Sequence, residues 1–201
     1  MSVTIFDFCT RAAISLGGQS ISSFDDDSRE AEVFSNIWQP ELRTCLALGN
    51  WNFASRDFDC SRYPDAPEDK NYDYQFTLPA DYLRNRFAMD ANGSRLGPGI
   101  WTVQGNRVLS KTETLRLKYV RRYDEADLYL LPDWFGDLFT AKLAYRAAEP
   151  LTGKTSIRES ARVEFEQCLI RARRADSQDQ GPGQAAIAKS SWWESRRGGS
   201  V

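Results

Sequence analysis

The sequence predicts an α+β protein: a four-helix bundle with an inserted, mainly antiparallel β module and an extended C-terminal tail. Three observations lead there. The apolar residues recur at a period near 3.6 on both sides of residues 55–123, and at a period of 2 within them. Each helical stretch carries a single apolar stripe, which needs partners to bury it. After about Ala175 the Gly, Ser, Gln and Pro content is too high to support a core. The boundaries follow: residues 1–54 and 124–176 form the bundle, 55–123 the insertion and 177–201 the tail. With 201 residues, a chain of this size buries roughly 70% of its unfolded surface.

The first helix is expected from about Val3 to Leu16, with Ile5, Cys9, Ala12, Ala13 and Leu16 on one face. Gly17-Gly18 ends it, since glycine accepts the left-handed conformation, and Ile21 folds back on the last turn. In the second, from about Asp27 to Leu48, Ala31, Phe34, Trp38, Leu42 and Cys45 stand three or four apart. Pro40 removes a backbone donor and is expected to kink or split this helix near Gln39. A third begins at Pro132, which suits a first turn. It carries Phe135, Leu138, Phe139 and Leu143, with only the aliphatic stem of Lys142 joining the packing. Pro150 and Gly153 break it. Ser156, three residues before Glu159, is expected to cap a fourth helix striped by Ile157, Ala161, Phe165, Cys168, Leu169 and Ala172.

Inside the insertion, Tyr72, Tyr74, Phe76 and Leu78 alternate with polar residues and stop at Pro79, which describes a strand with one buried face. Trp101 and Val103, the Gly105-Asn106 turn, and Val108 and Leu109 read as a hairpin. Leu115, Leu117 and Tyr119 alternate in a further strand. Residues 61–71 and 90–99 read as exposed polar loops, where binding usually sits.

The stretch SISSFDDDSREAEVF poses a choice between a carboxylate site for a hard cation and the decorated start of a helix. Asp27 and Glu30, three apart, fit a capping box, and the other acids face the positive end of the helix dipole. The calcium-loop spacing, with its central glycine and terminal glutamate, is missing. No metal or other cofactor is therefore expected.

Histidine is absent. That removes the commonest general base, the Ser-His and Cys-His pairings and the usual transition-metal ligand, and an enzyme is not expected. Cys9, Cys45, Cys60 and Cys168 are scattered without metal-site spacing and read as reduced, mostly buried thiols. No apolar run reaches the roughly 20 residues of a membrane span. The opening MSVTIFDFCTRAA lacks a basic segment followed by an apolar one, so cytosolic synthesis is expected. Net charge is −2, distributed as −4, +3, −4 and +3 over residues 1–54, 55–123, 124–153 and 154–201. No concentrated basic stripe marks a tight nucleic-acid surface. In the tail, Trp192 and Trp193 beside Arg196 and Arg197 have the composition of an interface anchor.

The order of motifs resembles a known family. An opening helix ending in LGG is followed by SFDDDSREA, a long helix ending LALGNWNFA, then YQFTLPADYLR, LRLKYVRRY and a helix rich in Phe, Leu and Ala. Over residues 2–176 this resembles the tail tubular protein A family of short-tailed bacteriophages. The resemblance implies a non-catalytic virion protein, the adaptor between portal and tail nozzle, with a fold of helices and a β-rich insertion. It implies a dodecameric homo-oligomeric ring, with the portal protein, the nozzle protein and in some phages tail fibres as partners. DNA is then a passing cargo. Synthesis and assembly fall in the host cytoplasm and final location in the virion tail. Pro40 departs from the smooth second helix expected of the family.

For such a ring, Asp124, Glu125 and Asp127 are candidate lumen acids, since carboxylates repel passing phosphates. Trp192, Trp193, Arg196 and Arg197 are the candidate anchor to the portal or a neighbouring subunit. The alternatives are a different non-catalytic assembly module and, further off, an enzyme whose Asp25, Asp26 and Asp27 converge on a cation.

Overall fold

The computed structural model describes residues 3–179 as mixed α+β, with antiparallel sheets between helical segments. Helices α1 (Ile5–Ser15) and α2 (Arg29–Ala47) come first. Six strands follow: β1 (Ser55–Asp59), β2 (Tyr74–Thr77), β3 (Tyr82–Met89), β4 (Trp101–Gln104), β5 (Arg107–Ser110) and β6 (Arg116–Arg121). A 3-10 helix, Glu125–Leu130, leads into α3 (Asp133–Thr152) and α4 (Thr155–Gln178). Among the described residues no helix is long and apolar enough to cross a membrane.

Helix α3 is the hub: α1, α2 and α4 all pack against it. It is suited to this because its buried residues, including Phe135, Leu138, Phe139, Leu143, Ala144, Ala147 and Ala148, lie around most of its circumference. The alanines let neighbours approach closely. Gly136 does the same against α1, where an added Cβ would meet the Phe8 ring at 3.0 Å. The expected stripes on α1 and α2 are buried in this one core. On α4, Phe165, Cys168 and Ala172 are buried, while Ile157, Ala161 and Leu169 are half-buried.

The helix termini depart from the expected caps at two places, α2 and α4. Thr4 opens α1, its N–H donating to Asp7 Oδ2 at 2.7 Å and its hydroxyl at 2.9 Å. Gly17, at φ 82°, ends it as expected, with the Gly18 N–H donating to the Ala13 carbonyl at 2.9 Å. Ile21 is buried on α1, where its N–H and carbonyl both bond the Thr10 hydroxyl. The cap of α2 is Ser28, not Asp27: the Ser28 hydroxyl accepts from the Ala31 N–H at 3.1 Å. This one-residue shift leaves Glu30 too near the cap to reach back to it, and its carboxylate instead accepts from the Gln19 N–H at 3.4 Å. Glu30 and Glu32 still sit in the first turn, where the dipole favours them. Helix α4 begins after Lys154 with no side-chain cap, so Ser156 lies within it. It also extends two residues past the expected boundary at Ala175–Asp176, to Gln178.

The prolines do not split helices. α2 is continuous through Pro40, which is exposed, so the missing donor faces water and costs little packing. α3 runs through Pro150 and ends at Gly153, φ 64°, whose left-handed turn starts the return into α4.

Lys142 also differs from expectation, because its ammonium is buried along with its stem. It lies 3.6 Å from Glu41 Oε2, with side-chain exposures of 13% and 10%. Arg146 donates to Glu41 Oε1 at 2.7 Å. The ammonium also sits over the rings of Phe165 at 4.8 Å and Tyr145 at 5.4 Å. One carboxylate between two cations thus joins α2 to α3 inside an apolar surround.

The insertion forms two three-stranded sheets, ordered β1-β6-β3 and β2-β5-β4, all antiparallel. The expected hairpin is β4–β5, turning at Gly105 with φ 58°. Between the sheets lies a second core of Phe76, Ala88, Val108, Leu115, Leu117 and Tyr119. Strand β1 and strand β3 were not expected.

Two substitutions test these assignments. Ser28→Ala should lower stability by about 1 kcal/mol in urea denaturation, and Asp27→Ala should change it far less. Glu41→Gln, which leaves the buried Lys142 ammonium without its carboxylate, should cost about 3–5 kcal/mol.

Candidate functional site

The sequence-predicted site residues fall in three places. Trp192, Trp193, Arg196 and Arg197 lie outside the described residues. Asp27 is exposed beside the α2 cap, and Glu30 holds the turn at Gln19. Asp124, Glu125 and Asp127 gather at the 3-10 helix after β6.

There the three acids divide their tasks. Asp124 Oδ1 caps the 3-10 helix by accepting from the Ala126 N–H at 3.1 Å. Asp127 accepts from Arg121 Nη2 at 2.7 Å, and the pair is largely shielded from water. Its other oxygen faces the Asp124 N–H at 3.5 Å. Arg121 in turn stacks on Tyr123 at 4.2 Å. Two of the three carboxylates therefore shape the backbone; Asp124 and Glu125 are both exposed, and Glu125 is the one without such a task.

Asp25, Asp26 and Asp27 do not converge. Asp26 turns back to accept from the N–H groups of Ser22 and Ser23 and the Ser22 hydroxyl at 3.0–3.1 Å. These bonds hold its carboxyl below the usual range. Among the described residues no cluster of three or more His, Cys, Asp or Glu is arranged to hold a metal ion. The thiols are unsuited to nucleophilic work: burial pushes Cys9 up to about 12 and Cys60 up to about 11, and raises Cys45 and Cys168 as well.

The concave surface is instead on the helices. A groove of about 620 Å³ runs between the N-terminal halves of α1 and α3, lined by residues that include Thr4, Asp7, Phe8, Pro132, Asp133 and Asp137. Its floor is the close approach of Phe8 to Gly136. Arg11 reaches across to Asp137 at 3.3 Å, an exposed pair that closes one end. Asp7, Asp133 and Asp137 against Arg11 leave the lining acidic. Val3 beside it is 43% exposed, and Tyr129 and Leu130, just before the lining residues Leu131 and Pro132, are 63% and 42% exposed. A second groove, of about 470 Å³, lies between α1, α3 and α4 over Ala141, Ala144 and Ala161. Its charges are satisfied locally, Arg171 donating to Glu164 at 2.7 Å.

The acidic groove escaped sequence reasoning. A signal was present: Asp133 and Asp137, four apart, share a face of one helix, as Asp7 and Arg11 do on another.

The insertion offers loops on a rigid support. Residues 61–63 pair alongside β2, the Tyr63 N–H donating to the Gln75 carbonyl at 2.8 Å. Asp90 Oδ1 accepts from the N–H groups of Asn92 and Ser94 at 2.9 and 2.8 Å, fixing the second loop. Where the insertion meets the helices, Arg84 of β3 and Arg173 of α4 both donate to carbonyls at the end of α2, Ala47 and Leu48. Asp176 of α4 accepts from the Asn52 backbone at 2.8 Å and its amide at 3.0 Å. Arg84 thus fastens the insertion to the end of α2, while Arg173 and Asp176 fasten α4 to the passage between α2 and β1.

No protein-family model and no curated protein matches this chain.

Burial raises the Asp176 carboxyl, and the Asn52 bond and nearby Arg86 offset this only in part. The folded state therefore holds this proton more tightly than the unfolded chain. The group's favourable contribution is full in acid and is lost as pH rises through its elevated pKa. The stability of the native protein relative to Asp176→Asn should accordingly fall as pH rises above the ordinary carboxylate range, as read by urea denaturation. A pH-independent difference would contradict the assignment. Gly136→Ala should force α1 off α3 and cost about 1–3 kcal/mol.

Proposed function

We propose that the chain is a virion structural protein, the ring-forming adaptor between portal and tail nozzle, related to the tail tubular protein A family of short-tailed bacteriophages. One observation carries the reading: the motifs that resemble the family, in the family's order, occupy the joints of the fold. LGG ends α1, LALGNWNFA makes the passage from α2 to β1, LPADYLR leads into β3, and LRLKYVRRY runs along β6. On this reading the helices act as a four-helix bundle, the insertion is its β-rich appendage, and the protein ends in the virion tail.

A closed ring needs a heterologous interface, in which two different patches of one subunit meet head to tail. The alternation of negative and positive segments along the chain supplies opposite signs for such docking. DNA passes through the ring as cargo. Glu125, exposed where Asp124 and Asp127 are engaged, is the strongest of the candidate lumen acids. The loops at 61–71 and 90–99, fixed by the bonds just described, serve as the face for the nozzle protein or tail fibres. Trp192, Trp193, Arg196 and Arg197 anchor the subunit to the portal or to its neighbour.

The decisive measurement is mass photometry of the purified protein, alone and with the cognate portal ring. Ring-sized particles, or a monomer that stacks as a ring only on the portal, are expected. A monomer indifferent to the portal would overturn the reading in favour of an unrelated assembly module. Removing residues 177–201 should leave a folded protein that fails to join portal rings, and raising salt should weaken ring formation.

A further inference from the structure

We propose that the acidic groove between α1 and α3 is the seat of this chain's own residues 180–201, with Trp192 and Trp193 filling it. The inference deepens the tail-anchor part of the adaptor reading and rests on that reading only for the role of the contact in assembly.

Position is the first argument. α3 and α4 are joined at Gly153 and lie against each other, so the end of α4 returns to the start of α3. The contacts agree. Asp176 bonds Asn52, while the flanking Trp51 and Phe53 rings pack on Trp134 and Phe135 in the first turn of α3. The chain therefore leaves the described fold at the end of the molecule where the groove lies. Trp192 follows Asp179 by 13 residues, a span of up to about 43 Å when extended. That is several times a helix diameter of about 10–12 Å.

Chemistry is the second. The groove carries Asp7, Asp133 and Asp137 against Arg11. Residues 180–201 carry Lys189, Arg196 and Arg197 against Glu194. The signs are opposite. The groove's size suits bulky aromatic groups, and Val3, Tyr129 and Leu130 supply exposed apolar surface beside it. Arginine next to tryptophan matches an acidic rim around an apolar floor. The groove over Ala141, Ala144 and Ala161 fits less well. Its Glu164 and Arg171 neutralise each other, which leaves it without the acidic excess of the first groove.

The test uses the full chain with the photo-reactive residue p-benzoylphenylalanine replacing Trp192. Irradiation followed by peptide mass spectrometry should join position 192 to residues 3–11 and 129–137. Mixing isotopically heavy and light chains assigns the contact to the same copy or to a neighbour, and either places the segment in the groove. Tyr129→Ser with Asp133→Lys, both at exposed positions, should lower the crosslink yield about tenfold while leaving the circular dichroism spectrum unchanged. Crosslinks mapping elsewhere, or a yield no higher than with the probe at exposed Lys70, would overturn the proposal. So would an unchanged yield in the double variant. Portal binding is scored separately. Groove crosslinks in a protein that ignores the portal would sink the adaptor reading alone, and portal rings without groove crosslinks would sink this inference alone.

Discussion

The burial of Trp51 is the constraint on which the two halves of the molecule depend. Its ring is nearly inaccessible, stacks edge-on against Phe135 and lies against Trp134, and its indole N–H donates to the Cys45 carbonyl at 2.9 Å. Phe53 and Tyr123 continue the same aromatic cluster. Phe53 stands just before the insertion begins and Tyr123 just after it returns, so one cluster clamps both ends against the start of α3. Burying the Phe135 ring completely is worth about 1.5–3 kcal/mol, and the half-buried Phe53 contributes less. The fold over Trp51 also dictates Gly49, because an added Cβ there would fall 2.6 Å from the indole. The sequence LGNW is thus a single packing unit.

Against that apolar clamp, charge plays a directing part. Glu41 between Lys142 and Arg146 contributes less to net stability than its geometry suggests, since desolvating Glu41 and Lys142 offsets much of their attraction and Arg146 stands half in water. What it does fix is the register of α2 on α3, because only one alignment pairs all three. The exposed pairs on α4, such as Arg162 with Glu159 and Glu166, are set in water and contribute little.

Where the sequence was legible, one physical signal dominated. The apolar stripes of α1 and α2, the Gly17 and Gly153 stops, and the β4–β5 hairpin each follow from local spacing or from the φ a residue can adopt. Failures occurred where two neighbouring residues competed or where the partner lay far along the chain. Ser28 displaced Asp27 as the cap by a single residue. β3 hid because its pairing with β6 slips twice, between Tyr82 and Arg84 and between Asn85 and Phe87, which destroys the period of two. β1, reading SRDFD, looks too charged for a strand until its partner is known: Asp57 lies opposite Lys118 and Asp59 opposite Arg116. The acidic groove was invisible for the same reason, being assembled from α1 and α3, more than a hundred residues apart. The buried ammonium of Lys142 has no local signal, because its partner Glu41 lies on another helix.

The way the insertion leaves and rejoins the helices has a consequence for how such a protein changes over time. Ser55 and Val120 are direct partners across the β1–β6 ladder, and the Arg121 N–H donates to the Ala54 carbonyl at 2.8 Å. The chain therefore enters and leaves the β unit through two adjacent strands, with Arg84 of β3 as a further tie to α2, and the core of Phe76, Leu117 and Tyr119 forms apart from the helical one. Such an attachment behaves like a socket. Changes of length or chemistry in the loops far from residues 55 and 120 therefore leave the Trp51 clamp untouched, whereas a change at Val120 reaches the helical core itself.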